Sequence, residues 1–430
     1  MKHGAILIAV LAVSSTAYAQ AIPGQGTPPQ QAPPGQPRGG GFGGIGLSIQ
    51  LGGKKKVPEE KLIEPALRMQ DANTPDHVAG QIIFLMSSPA VSAARVAKAC
   101  KVVVIETVPL DALVTTMLLA SVAPPTTIEA AQACLAKQGG VQSAQPNYHY
   151  QLLGAAGGTG GGSRAKGYAL HGLKDGNPTP VKGSIVLIDT AVDISHPNLK
   201  AAGIAQWLFD VPAAPSAHGT AIAELLVGGG NYPGTAQGAT LISYAAFAPV
   251  GEDKWLSQSS SLAKALNATA QLAPQVVNLS FGRNGPDPLI TKALDLFRAK
   301  GLCVVAAAGN GSGGPVLFPA THSASLAVTA VDGKLRPYAY ASKGPQISVA
   351  AWGVDLPAAV PGGRRIVSGT SFATAVISGN LLRMSECNGE RNPAGMKAKA
   401  MANAQDLGDK GADVVFGAGL FRLGNAKVKK

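Results

Sequence analysis

Apolar positions change their spacing several times along the chain, and each change marks an element or a boundary. A continuous apolar stretch, Ala5 to Val13, lies behind Lys2 and His3 and is followed by Ala17-Tyr18-Ala19. A basic start, a short apolar core and a small-x-small close predict a secretory signal peptide over 1–19, cut after Ala19. A bilayer span needs about 20 apolar residues, more than this stretch has, so no stable membrane span is expected. From Gln20 the pattern vanishes: Pro, Gln and Gly dominate to Gly53, and Lys54-Lys55-Lys56 follow. Such a stretch buries too little surface to offset its ordering entropy, so 20–75 is predicted to be a disordered tether.

Periodicity returns over 76–150. Gln81 to Met86 reads as an apolar strand, Val91 to Cys100 as a helix and Val102 to Glu106 as a second strand. A further strand near Leu113 to Leu119 precedes a helix whose Thr126 and Glu129 have capping-box spacing, and Val141 to Tyr150 closes the unit. The order strand-helix-strand-strand-helix-strand predicts a small α+β, ferredoxin-like domain. Glycines between Gly154 and Gly162 then break every pattern, so 151–180 is expected to be an exposed Gly-rich linker that a protease could reach.

Over 181–430 the apolar runs shorten and lose polar alternation: Ile185 to Ile188, Leu241 to Ala246, Val276 to Leu279, Leu302 to Ala307 and Leu326 to Thr329, with helical stretches between. Strands of that kind are buried on both faces. They predict an α/β domain, a three-layer parallel sheet with helices on both faces.

Composition narrows the function classes. The 430 residues carry a net charge of +12, yet only 14% are charged and 46% are hydrophobic, which excludes a chain disordered throughout. The basic residues are scattered without an aromatic platform, so no nucleic-acid partner is expected. Cys100, Cys134, Cys303 and Cys387 lie far apart and lack metal-ligand spacing; neither a metal nor another cofactor is expected. Cys100 and Cys134 both fall late in their helices, within reach of one bridge.

The chemistry gathers where parallel sheets place it, beyond the carboxyl ends of strands. Ile185 to Ile188 runs directly into Asp189-Thr190. His218-Gly219-Thr220 opens a helix, and Gly369-Thr370-Ser371 opens another. A Ser in a first helical turn sits beside free N–H groups that favour an oxyanion, and it needs a base to remove its proton. Leu302 to Ala308 delivers Asn310 to the same edge. The division of labour read from these residues is that Ser371 attacks, His218 shuttles the proton, Asp189 orients the imidazole and Asn310 holds the oxyanion.

Together these motifs, with Asn278-Leu279-Ser280-Phe281-Gly282 and Ala308-Gly309-Asn310, make the region from about Lys182 to Asn425 resemble the catalytic domain of subtilisin-like serine peptidases. The chain order Asp, His, Ser agrees with that family. The 76–150 unit, with Pro146-Asn147-Tyr148 near its end, resembles the family's inhibitory propeptide. The resemblance implies an exported zymogen that cleaves protein or peptide substrates, with its own propeptide as folding assistant and intramolecular inhibitor. It also implies that Ser280, Phe281 and Gly282 pair with substrate backbone and that Leu317 lines the first specificity pocket, shortening it for small or medium apolar side chains. Self-cleavage is expected between about Tyr150 and Arg164, with export to the periplasm or beyond the cell. The sequence departs from the family at Ala191 and Glu224, both where Gly is usual, and has no calcium-loop pattern after His218.

Chain lengths put Cys303 and Cys387 at the opposite end of the sheet from Ser371, which suits either a bridge between them or two buried thiols. Two rival functions remain in view. Gly309 to Gly314 matches the dinucleotide-binding G-x-G-x-x-G, but Pro315 and Pro319 argue against the helix it needs. A non-catalytic or self-cleaving-only binding module on the same fold is the other.

Overall fold

The computed structural model describes residues 76–87, 91–156, 163–173, 178–251, 254–384, 386–387 and 391–424. All of them fall in one compact unit. The expected signal peptide and tether lie outside the described residues.

The N-terminal elements are β1 (His77–Met86), α1 (Val91–Ala99), β2 (Val102–Leu110), β3 (Thr115–Val122), α2 (Ile128–Leu135) and β4 (Val141–Leu152). The strands pair antiparallel in the order β2-β3-β1-β4, the ferredoxin-like arrangement. Strand alternation sorts the side chains between two cores. Ile82, Phe84 and Met86 join Val96 of α1 and Leu135 of α2, while Ile83 and Leu85 join the core beneath the second domain. The cap of α2 is Thr127, one residue after the Thr126 expected: its backbone is extended and its hydroxyl accepts from the Ala130 N–H at 3.2 Å. A disulfide joins Cys100 to Cys134, with Cα atoms 5.5 Å apart.

The stretch expected to be a bare linker carries β5 (Ala155–Ala156) and α3 (Arg164–Leu170). The second domain then follows as β6 (Ser184–Asp189), β7 (Ile204–Leu208), α4 (Ala217–Val227), β8 (Thr240–Ala245), β9 (Ala248–Gly251), β10 (Lys254–Gln258) and α5 (Ser259–Leu272). It continues as β11 (Val276–Leu279), β12 (Phe281–Gly282), α6 (Pro288–Ala299), β13 (Cys303–Ala307), β14 (Ser325–Val331) and β15 (Val349–Trp352). It closes with β16 (Leu356–Val360), β17 (Gly363–Ser368), α7 (Thr370–Leu381) and α8 (Pro393–Ala402).

The central sheet is parallel throughout, in the order β15-β14-β13-β11-β6-β8-β7. Its middle strands are apolar on both faces because each face has its own core. Ile185 and Leu187 pack with Ile222 of α4 and Ile377 of α7, whereas Val186 and Ile188 pack with Leu266 of α5 and Leu294 of α6. Full burial of each such side chain contributes about 1.5–3 kcal/mol. The edge strands β7 and β15 were not anticipated: β7 leaves Trp207 and Leu208 exposed, and β15 is four residues long.

At the far end of the sheet Cys303 opens β13 and is disulfide-bonded to Cys387, Cα to Cα 5.8 Å. The helix before Cys387 stops at Leu381 rather than running on, because turns follow in which Arg383 and Met384 bond back to Asn380 and Leu381.

One strand links the two domains. Beyond its own sheet, β4 pairs antiparallel with β10 (Tyr150 opposite Ser257, Gln151 opposite Leu256) and with β12 (Gln151 opposite Gly282, Leu152 opposite Phe281). Two residues later β5 pairs with β17, Ala155 opposite Ser368 and Ala156 opposite Val367.

Candidate active site

Because the sheet is parallel, the carboxyl ends of β6, β11 and β13 share one edge, and α4 and α7 begin there. Asp189 ends β6, is fully buried, and faces His218 in the first turn of α4: the imidazole Nδ1 lies 2.8 Å and 3.0 Å from its two carboxylate oxygens. Asp189 Oδ1 also accepts from the Thr190 N–H at 2.7 Å and the Thr190 hydroxyl at 3.1 Å. That hydroxyl in turn accepts the Gly219 N–H at 3.0 Å, tying the start of α4 to the end of β6. A buried carboxylate needs such partners to stay ionised. With Nδ1–H donated to Asp189, Nε2 is left as the acceptor nitrogen, and it is buried with no hydrogen-bond partner among the described residues.

Ser371 occupies the first turn of α7, and its hydroxyl donates to the Ser280 carbonyl at 3.1 Å rather than to His218. Asn310 follows β13. Its Oδ1 accepts from the Thr370 N–H at 3.1 Å and hydroxyl at 3.0 Å, which turns its Nδ2 toward the cleft.

The chain itself fills that cleft. The Leu153 carbonyl oxygen accepts from Asn310 Nδ2 at 2.6 Å and from the Ser371 N–H at 3.1 Å, while the Leu153 N–H donates to the Ser280 carbonyl at 3.1 Å. The Leu153 side chain is buried with Ala307 and Leu317. The carbonyl oxygen therefore sits between two N–H donors, and the backbone at Gly154 passes close to His218 Nε2.

Of the site residues named from the sequence, Asn310 and Ser371 meet at the Leu153 carbonyl, His218 lies close to Gly154 with Asp189 on its far side, the Ser280 carbonyl accepts the Leu153 N–H, Phe281 and Gly282 pair with Leu152 and Gln151, and Leu317 packs with the Leu153 side chain. The cysteines lie away from this edge, paired as described. Sequence reasoning missed Thr190 and Thr370, which hold Asp189 and Asn310, and β10, which flanks the bound strand. It also missed Asp287, the buried cap of α6, although Asp287-Pro288 is a helix-start signal. Among the described residues no cluster of His, Cys, Asp or Glu is arranged to hold a metal ion. After Gly314 no helix forms, so the G-x-G-x-x-G match lacks its required context.

The sequence profile of the Subtilase family matches residues 182–419. Subtilisin Savinase of Lederbergia lenta is 26% identical over 245 residues, 55% of this chain and 87% of that protein. The alkaline protease of Alkalihalobacillus alcalophilus is also 26% identical over 245 residues, with 62% of its own length covered. Among solved structures, fervidolysin from Fervidobacterium pennivorans, a keratinolytic enzyme related to subtilisin, has a TM-score of 0.69 over 80% of this chain and 60% of its own, at 21% identity; that is a likeness of fold. The prenylagaramide maturation protease PagA has a TM-score of 0.50 over 56% of this chain and 90% of its own, at 25% identity.

Proposed function

The chain belongs to the subtilase family and is a serine-type endopeptidase, and from that premise we propose that it is an exported zymogen which cuts its own Leu153–Gly154 bond. One observation carries the reading: the Leu153 carbonyl oxygen lies between Asn310 Nδ2 and the Ser371 N–H. The elements before it act as the propeptide, 76–153, and 181–430 acts as the catalytic domain.

The reaction begins when the Ser371 hydroxyl leaves the Ser280 carbonyl and gives its proton to His218 Nε2. The oxygen attacks the Leu153 carbonyl carbon, and the negative charge is held by Asn310 and the Ser371 N–H. Asp189 stabilises the imidazolium through Nδ1. His218 returns the proton to the Gly154 nitrogen, that amine leaves, and water releases Leu153 from the acyl-enzyme by the reverse sequence. The same groove then takes protein substrates as an added strand between β10 and β12, with a small or medium apolar residue against Leu317. Until it departs, the cleaved propeptide blocks that groove.

Export is supported by the basic start, the apolar stretch and Ala17-Tyr18-Ala19, and by two disulfides of a kind that persists outside the cytosol. No helix among the described residues is long and apolar enough to cross a membrane. A fluorophosphonate probe tests the active site: the mature protein should be labelled at Ser371 and lose peptide cleavage in proportion. Absence of labelling on folded, processed protein would favour a non-catalytic module instead.

A further inference from the structure

Taking residues 150–153 to lie along the substrate path, as the proposed function has it, we infer that Asp287 makes this enzyme select tyrosine at the fourth residue on the acyl side of the cut. That residue in the bound strand is Tyr150. It is fully buried, with its ring edge-on to Phe281 at 5.6 Å between centroids, and Phe281 in turn lies 5.3 Å from Phe247. An aromatic wall of this kind accepts any large apolar side chain. The floor is different: the Tyr150 hydroxyl donates to Asp287 Oδ2 at 2.9 Å.

Asp287 is not an accidental neighbour. It is fully buried, and Oδ1 accepts from the Leu289 and Ile290 N–H groups at 2.9 Å and 3.1 Å, capping α6. Oδ2 is also bonded by the Ser259 hydroxyl at the start of α5. These partners belong to the catalytic domain and remain when the propeptide leaves. The partners that leave are Tyr150 and Gln145, whose Nε2 donates to Oδ1 at 2.8 Å. Water can reach the carboxylate once they leave, and a substrate side chain that fills the Tyr150 position displaces that water and must supply the donor in its place. Phenylalanine fills the same volume and leaves Oδ2 short of a donor, and buried polar groups discriminate strongly against analogues lacking a hydroxyl. Burial, reinforced by the Asp287 charge, pushes the Tyr150 phenol well above its ordinary pKa, so it stays protonated and donates.

The test uses the mature enzyme and peptides of sequence Xaa-Gln-Leu-Leu-Gly-Ala-Ala, with Tyr, Phe or Lys as Xaa. Tyrosine should exceed phenylalanine in kcat/KM by about 10- to 100-fold, the range for a hydrogen bond to a charged group, and should also exceed lysine, whose ammonium must shed its hydration shell to enter the pocket. Asp287→Asn retains a good cap residue and should lower the Tyr/Phe ratio severalfold. Both peptides are read on one preparation, so the ratio does not depend on the fraction folded, and the wild-type ratio decides if the variant is not recovered. A wild-type ratio near one, a preference for Phe or Lys, or a ratio unchanged by Asp287→Asn would overturn the inference while leaving the peptidase intact. No cleavage of any peptide together with no probe labelling would overturn both.

Discussion

At Gly154 the absence of a side chain decides whether the strand can pass the catalytic groups. A methyl added there would meet the Phe372 ring at 2.8 Å and His218 Nε2 at 2.9 Å. From the other side, Gly369 lets the backbone before Ser371 come close; a methyl there would meet the Gly154 Cα and the Leu153 oxygen at 2.8 Å. Gly154→Val should therefore slow self-cleavage by about 5- to 100-fold, since overpacking costs about 1–3 kcal/mol and each 1.4 kcal/mol is a factor of about ten. Following the shortened product over time in freshly folded precursor measures this; processing at the wild-type rate would show that the close approach does not matter. At this scale Asp189, His218, Asn310 and Ser371 were legible because each sits in a short local motif at a strand end or helix start. Thr370 was not, since it fixes the Asn310 amide from 60 residues away; Thr190 and Asp287 bind sequence neighbours, but the bonds of Thr190 to Gly219 and of Asp287 to Ser259 exist only in the fold.

Among the elements, α3 was illegible from sequence: seven residues with a glycine inside give no apolar period to read. Its place is set instead by what surrounds it. Arg164 forms an ion pair with the buried Glu224 of α4 at 3.0 Å, and Arg364 of β17 pairs with the same carboxylate. Burial alone would push Glu224 up, but the Arg164 charge and the hydrogen bonds from Arg364 and Asn198 outweigh it and hold the carboxyl below its ordinary value. Glu224 thus anchors the segment after Gly154 to the helix that carries His218. The other end of α3 is held by His171, whose Nδ1 bonds the Phe421 carbonyl at 2.8 Å and whose Nε2 accepts the Trp352 N–H at 3.1 Å.

Burial lowers the His171 pKa from 6.5 to about 4, against the raising effect of its bond to Phe421. In that window the unfolded chain binds a proton that the folded chain does not, so stability is full above pH 6.5 and declines as pH falls toward 4. The loss from this group amounts to about 3 kcal/mol. The depressed Glu224 acts in the same direction at lower pH, its contribution being lost as the carboxyl protonates. His171→Gln, which can donate and accept at the same two places, should flatten the decline between pH 6.5 and about 4 in urea denaturation of inactive Ser371→Ala protein; an unchanged slope would remove His171 as its source.

For the whole molecule, both fold classes were legible because short apolar strands such as Ile82 to Met86 and Ile185 to Ile188 are separated by helical stretches, in the order strand-helix-strand-strand-helix-strand before the Gly-rich break and as a strand-helix repeat after it. The sequence did not display how the parts lock together. That depends on β4 running out of one sheet and into the groove of the other domain, through pairings such as Leu152 with Phe281 that lie more than a hundred residues apart and leave no local trace. The bridge between Cys303 and Cys387 was one of two alternatives compatible with chain length, and the fold selects it by bringing the two backbones within 5.8 Å.

Everything turns on Leu153–Gly154 being the bond that Ser371 breaks. Intact mass and N-terminal sequencing of the full chain, expressed for export beside its Ser371→Ala variant, test this most directly. Wild type should yield a chain beginning at Gly154 and a fragment ending at Leu153, while the variant should keep that bond unbroken. The same cut in both, or a wild type processed elsewhere with Leu153–Gly154 intact, would contradict it.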